Sequence, residues 1–343
     1  MEKILLKAWR ARGWLARLLW PLARIHLLLV WLRRTAYQQG LLASTRFDIP
    51  VIVVGNVVAG GAGKTPLVIA LVRHLQSSGL AVGVISRGYA RSGGQSLEVT
   101  AGTSVSASGD EPALIRRSTH APVFVANRRA DAVRDVLAAY PATSVVVCDD
   151  GLQHYALQRD IEIVVFDDSG IGNGWLLPAG PLREPWPARQ HQGVDLVLHT
   201  GSQPAFEGFR SNRRLAAHAF AADGQQVLLA DLADCPVVAL AGIAHPDNFF
   251  EMLRANGLFL EKTLAFPDHH VFRASDFDAL KGQTVLCTEK DAVKLFALPG
   301  LVQVNLLAVP LEFLPELAFF DALDALLAPF ISQLPSRHGH QTD

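Results

Sequence analysis

Val51-Ile-Val-Val-Gly55-Asn56-Val-Val-Ala-Gly60-Gly61-Ala62-Gly63-Lys64-Thr65-Pro66 is the stretch on which the reading of this 343-residue chain turns. A β-branched run enters a glycine-rich turn, and an apolar stretch of helical character follows Pro66. That order suits a phosphate-binding loop. Glycines let successive backbone NH groups curl around phosphate oxygens, the lysine reaches the outer phosphates, and the hydroxyl serves Mg2+. Asn56, Gly60, Gly61, Ala62, Gly63, Lys64, Thr65 and Pro66 are therefore the candidate nucleotide-binding residues, with Lys64 also a catalytic candidate and Thr65 also a metal ligand. One departure stands out: the first glycine of G-x-x-x-x-G-K-[ST] falls at Val58, and a glycine pair precedes Gly63-Lys64-Thr65 instead.

Outward from this loop, short apolar runs at residues 51–54, 82–86, 122–126, 144–148, 161–166 and 194–199 alternate with helical stretches. Continuous apolar runs imply strands buried on both faces, hence a mostly parallel sheet covered by helices. The fold class expected is α/β: a doubly wound sheet of the P-loop NTPase type, with a second, smaller α/β lobe and an N-terminal amphipathic helix. Residues 201–214 read as a connector. Beyond it, strands are expected at 237–241, 258–264, 284–288 and 302–306, with helices near 246–256 and 275–281 and a last apolar helix near 314–331. The corresponding division is 1–45 for the membrane-associating helix, 46–205 for the nucleotide-binding core, 206–310 for the smaller lobe and 311–343 for the closing helix and polar tail.

A nucleotide site needs a carboxylate for its metal at the end of a neighbouring strand. Ser144-Val-Val-Val-Cys148-Asp149-Asp150 supplies two, and Asp167-Asp168 is a rival pair. Guanine readers carry Asn-Lys-x-Asp; Thr288-Glu289-Lys290-Asp291 has the wrong spacing, which favours ATP. The loop alone leaves open a kinase and a membrane-associated ATPase switch that controls a protein partner.

Half the residues are hydrophobic and 18% are charged, which excludes a disordered chain. Three scattered cysteines, Cys148, Cys235 and Cys287, offer neither a disulfide framework nor a CxxC metal site and suit a reducing compartment. The net charge of −1 conceals an asymmetry: residues 1–34 hold eight basic side chains against Glu2, a net +7, and the rest carries −8. Lys3, Arg10, Arg17 and Arg24 recur every seven residues among Trp9, Trp14, Trp20, Trp31 and many leucines. Arginines interrupt the segment too often for the uncharged run of a spanning helix, and they lie through the apolar part, unlike a signal peptide. An interfacial helix on an anionic membrane surface is expected, kinked at Pro21. No nucleic-acid partner is expected.

Four more clusters carry a resemblance: Gly109-Asp110-Glu111-Pro112, Asp149-Asp150-Gly151-Leu152-Gln153-His154, Pro178-Ala-Gly-Pro181-Leu182-Arg183-Glu184-Pro185 and Asp268-His269-His270. With the loop and the cationic first helix, the chain resembles, over about residues 10–310, the tetraacyldisaccharide 4'-kinases, the lipid A 4'-kinases of Gram-negative bacteria, whose loop also lacks the first glycine. The resemblance implies transfer of the ATP γ-phosphate to the 4'-hydroxyl of a membrane-embedded, acylated disaccharide 1-phosphate, giving lipid IVA at the cytoplasmic face of the inner membrane. It implies ATP and Mg2+ as cofactors, Asp149 and Asp150 as the Walker B pair, Gln153 as a polar neighbour, and Arg183 with Glu184 closing over phosphate and metal. Asp110, beside Glu111, matches the proton acceptor and His269 its partner from the smaller lobe, a pairing that makes catalysis depend on lobe closure. Arg128 and Arg129 are candidate contacts to the acceptor's 1-phosphate, and Glu111 a further substrate candidate. Lys290 and Asp291 match the family without a role.

Overall fold

The computed structural model describes residues 9–60, 63–88, 91, 93–187, 195–201, 203–301 and 303–332. Gly61 and Ala62 of the loop, and Lys3 of the basic heptad series, lie outside the described residues.

A nine-stranded sheet forms the larger layer. Its strands are β1 (Val51–Gly55), β2 (Val82–Ser86), β3 (Leu97–Glu98), β4 (Val123–Val125), β5 (Val145–Asp149), β6 (Ile161–Phe166), β7 (Leu196–His199), β8 (Phe209–Leu215) and β15 (Leu311–Pro315), in the spatial order β15-β8-β7-β6-β1-β5-β2-β4-β3. From β8 to β4 every pairing is parallel; β3 and β15 are antiparallel edges. The period of two along each strand explains the apolar runs, because successive side chains enter opposite cores. Ile52 and Val54 pack with Leu67, Leu71 and Leu75 of helix α2 (Lys64–Ser77), whereas Val51 and Val53 join Val133 and Val136 from the other face.

The smaller sheet has the order β10-β9-β14-β13-β11-β12, from β9 (His218–Phe220), β10 (Gln226–Leu228), β11 (Val237–Ala241), β12 (Leu260–Ala265), β13 (Thr284–Thr288) and β14 (Asn305–Val309). The four strands β11 to β14 are parallel. Helix α5 (Pro246–Ala255) covers it with Phe249, Phe250 and Leu253 buried. The helical stretch expected near 275–281 is a 3-10 helix, Ala274–Leu280.

Two sequence expectations need correction. Residues 201–214 are not only a connector, because β8 occupies their second half; Phe-Arg-Ser-Asn-Arg-Arg-Leu lacks the apolar run by which the other strands announce themselves, and only Ser211 and Leu215 are buried. The final helix begins at Leu317, after β15, and folds Phe319, Leu323 and Leu327 back onto the larger sheet's core. The chain crosses between the sheets at two adjacent places, after β8 and before β15, where Ala216 N donates to Pro310 O.

Helix α1 (Trp14–Gln38) continues through Pro21. It leaves Trp14, Leu18, Leu22, Ile25, Leu28, Leu29 and Trp31 more than half or nearly half exposed. By length and composition it is apolar enough to cross a membrane, a test the interspersed arginines were expected to make it fail. The helix and the segment before it are anchored: Arg12 Nε donates to Asn173 O, Trp9 Nε1 to Pro178 O, and, from mid-helix, His26 Nε2 to Arg183 O, all at 3.0 Å.

Candidate active site

The site lies beyond the carboxyl ends of β1, β5 and β2, where the strand order reverses and α/β sheets open a crevice. Gly63, at φ 80°, caps helix α2, so the turn into the helix needs a residue free to adopt a left-handed backbone. Lys64 follows as its first residue. Its Nζ lies 3.3 Å from Asn56 Oδ1 and 3.4 Å from Asp150 Oδ1, and Asn56 Nδ2 donates back to Gly60 O at 3.1 Å. Asn56 thus braces both the loop and its lysine.

The loop is held from outside by the motif at 178–185. Ala59 N donates to Pro181 O and Arg183 N to Val57 O, at 2.8 and 2.7 Å. This short antiparallel clasp brings Arg183 to Gln153 and Asp150: Arg183 Nη1 stands 3.5 Å from Gln153 Oε1 and 3.8 Å from Asp150 Oδ1, and Gln153 Nε2 reaches Asn56 O at 3.2 Å.

Asp149 ends β5 and is almost fully buried; Ser86 Oγ is 3.4 Å from its Oδ2, while Oδ1 has no hydrogen-bond partner among the described residues. Burial, then repulsion from Glu111 and Asp150, raises its carboxyl to about 7 despite Lys64 and Arg129. Asp150 adopts a left-handed backbone, φ 50°. Glu184 accepts a hydrogen bond from Tyr155 OH on Oε2, and its buried Oε1 has no donor among the described residues. Asp149 Oδ1 and Glu184 Oε1 are thus two buried carboxylate oxygens without a hydrogen-bond donor among the described residues, and as hard oxygen ligands they suit Mg2+ in their chemistry. Among the described residues no three His, Cys, Asp or Glu side chains are grouped so as to hold a metal ion.

Facing this cradle, helix α3 (Asp110–Thr119) starts at Asp110 after Gly109, φ 89°. Asp110 is 5% exposed. His269, on the loop after β12, places Nδ1 3.0 Å from Oδ2 and 3.2 Å from Oδ1. The sequence leaves open whether these two side chains meet without lobe closure; here they are in contact. Helix α6 (Glu289–Leu295) presents Lys290 and Lys294 on one face, four residues apart. Lys294 Nζ is 3.4 Å and Lys290 Nζ 3.8 Å from Asp110 Oδ2, and Lys290 also reaches Asp268 Oδ1 at 3.0 Å and Glu111 Oε1 at 3.8 Å. Burial alone would raise the Asp110 carboxyl, but the His269 hydrogen bond and the charges of Lys290, His269 and Lys294 hold it well below the usual range. The same hydrogen bond raises the His269 imidazole against burial and Lys290. Asp291 is structural: its Oδ2 accepts from Gly242 N at 2.9 Å and from Thr288 Oγ1 at 2.7 Å.

The arginine pair splits. Arg129 is buried, with Nη2 donating to Asp150 O at 3.2 Å, so it supports the Walker turn instead of facing an acceptor; Arg128 caps helix α4 (Arg129–Ala139) and is exposed. The rival pair Asp167 and Asp168 binds its own turn: Ser169 N donates to Asp167 and Gln203 N to Asp168. Sequence reasoning missed Tyr155, Ser86 and Lys294. For Lys294 a signal existed, the i, i+4 spacing from Lys290.

Residues 15–328 match the family described as LpxK, tetraacyldisaccharide-1-P 4'-kinase. The chain is 73% identical over 342 residues to the tetraacyldisaccharide 4'-kinase of Polaromonas naphthalenivorans (strain CJ2), covering all of both chains. With the Bordetella parapertussis protein of the same name it shares 46% identity, covering 87% of this chain and 89% of the relative. The crystal structure of LpxK from Aquifex aeolicus in complex with ATP is 28% identical and superposes with a TM-score of 0.79, covering 92% of this chain and 99% of that one. From the phosphate loop to the Asp110–His269 pair, then, the site stands on a chain that belongs to the tetraacyldisaccharide-1-P 4'-kinase family.

Proposed function

We propose that the crevice between the phosphate loop and the Asp110–His269 pair transfers the γ-phosphate of ATP to the 4'-hydroxyl of a tetraacyldisaccharide 1-phosphate at the membrane surface. The observation that carries this reading is the placement of a proton-accepting pair opposite a phosphate cradle. A switch ATPase needs the cradle and the Walker carboxylates but no such pair.

Phosphoryl transfer asks for positioning, charge neutralisation and a proton acceptor. Lys64 and the NH groups of the loop hold the phosphates, Asn56 fixes Lys64, and Arg183, aligned by Gln153, faces the charge that spreads over the transferring group. Thr65, Asp149, Asp150 and Glu184 would hold Mg2+, which neutralises phosphate charge when bound. The acceptor's proton goes to Asp110 and His269 as a pair. The carboxylate, kept ionised by Lys290 and Lys294, orients the imidazole through Nδ1, and the imidazole's raised proton affinity lets it retain the proton. Glu111, held by Lys290, borders the acceptor's path.

An acceptor with four acyl chains stays in the bilayer, so the crevice must reach the surface. The exposed Trp and Leu side chains of α1, with its arginines, support a peripheral seat at the cytoplasmic face of the inner membrane. The anchor from His26 to Arg183 O ties that seat directly to the site. Arg128 remains the candidate contact for the 1-phosphate. The division at 1–45, 46–205, 206–310 and 311–343 is retained as the working plan of the chain, with β8, β15 and the closing helix returning to the larger sheet.

The test is an assay of full-length protein with Mg-ATP and tetraacyldisaccharide 1-phosphate in mixed micelles. A bis-phosphorylated lipid is expected. ATP hydrolysis without that product would favour the switch.

A further inference from the structure

Strand β8 carries a cation that the roles above leave unused. The Arg213 side chain turns from the crossing between the sheets toward the phosphate loop, and its Nη2 packs so closely on Gly63 that a Cβ built there would lie 2.3 Å from it. Thr200 Cγ2 closes the same spot from another side, at 3.4 Å from that position. Across the ladder Arg213 opposes Phe313, with its Cζ 5.8 Å from the ring centroid. Among the described residues no hydrogen bond or ion pair reaches this guanidinium, and its Nε is buried without an acceptor. Asp167 and Asp168 act on it only as longer-range attraction.

A guanidinium has five donors, no acceptor, and keeps its proton in proteins. Withdrawing most of one from water, its Nε fully, without an anion is costly, so its retention calls for a partner. The place where it waits already favours negative charge, because the NH groups and dipole of α2 converge there. A planar fork at that point is suited to phosphate oxygens.

We propose that Arg213 is a further phosphate ligand of the nucleotide site, delivered to the loop by the strand that leads from one sheet to the other. The inference rests on the nucleotide-site reading above. Gly63 belongs to the backbone cradle of the inner phosphates, whereas Lys64 reaches the outer ones. Arg213 therefore binds ATP and ADP alike and acts in the ground state, unlike Arg183. A contact made equally before and during the reaction changes affinity and leaves turnover alone.

The experiment is calorimetric titration of full-length protein with Mg-ATP and with Mg-ADP, for wild type, Arg213→Lys and Arg213→Gln, together with thermal unfolding of each without nucleotide. Arg213→Gln is expected to weaken both nucleotides by about 10- to 100-fold, the scale of one hydrogen-bonded charge contact, and Arg213→Lys by less. The unfolding midpoint of nucleotide-free Arg213→Gln is unchanged or higher, since an unpaired buried charge has gone. Equal affinity of wild type and Arg213→Gln overturns the assignment. So does a lower nucleotide-free midpoint with unchanged affinity, the mark of a packing role alone. Wild-type protein that binds neither nucleotide defeats the functional reading itself.

Discussion

Asp110 Oδ2 and His269 Nδ1 lie 3.0 Å apart across 159 residues of sequence, and this contact joins a helix start on the larger sheet to a loop of the smaller one. Neither group alone is a good base near neutrality, but the pair is. Asp110→Ala and His269→Ala are each expected to lower turnover by roughly 100-fold or more, and the double variant by little beyond the worse single one, because the two act as a unit. Steady-state kinetics of the three variants checks this.

The pH dependence follows from His269. Its proton affinity is raised, and the reaction needs the pair free of the extra proton, so kcat/KM should rise with pH through an apparent value above 6.5. Stability runs the other way. A raised imidazole contributes stability that is complete below its unfolded value and lost as pH climbs through the folded one. His269→Gln should flatten both profiles near neutrality.

Lys290 gains a role in the same profile. Its charge opposes protonation of His269, so Lys290→Met should move the acid limb of kcat/KM to higher pH. A pH-rate profile of this variant, with kcat at its plateau compared with wild type, separates this from general damage.

Asp149 is the buried carboxylate beside Glu111 and Asp150, raised to about 7. Its folded value lies above the unfolded one, so its contribution is present at low pH and lost as pH rises from about 4 through 7. Metal-free Asp149→Asn should therefore unfold a few degrees higher than wild type at pH 8, roughly 1 kcal/mol or more in stability, while losing activity. In wild type, the Mg2+ concentration needed for half-maximal rate should increase as pH falls from 8 to 6, because protons compete for the same oxygen.

Much of this was legible in the sequence where one physical signal dominated. The apolar runs at 82–86, 161–166, 237–241 and 284–288 coincide with strands because burial on both faces leaves no other composition. The strand β8 was hidden because its partners leave most of its side chains polar, and Arg213 with it. Arg129 reads, with Arg128, as a contact to the acceptor's 1-phosphate; only the fold reveals that this first residue of α4 is buried and donates to Asp150 O. The Asp110–His269 contact was expected from resemblance, since no spacing rule joins residues so far apart.

The two arginines should accordingly part company. Arg128→Ala is expected to raise KM for the lipid acceptor by about tenfold, with ATP affinity intact. Arg129→Met should lower stability and turnover together, since it removes the donor to Asp150 O from a buried position. Thermal unfolding beside acceptor titrations distinguishes them.

The exposed face of α1 gives a separate expectation. Replacing Trp14, Leu18 and Trp31 together by serine, all exposed by more than half, should release the protein from anionic vesicles without lowering its folding midpoint. Vesicle sedimentation and thermal unfolding report the two quantities independently.

The most direct measurement follows label from γ-labelled ATP in mixed micelles containing the tetraacyldisaccharide 1-phosphate, with wild type, Lys64→Ala and Asp110→Ala run side by side. The account expects label on the 4'-oxygen of the lipid with wild type and its near-complete loss in both variants. Label released only as inorganic phosphate by wild type, or lipid labelled as fast by Asp110→Ala, would contradict it.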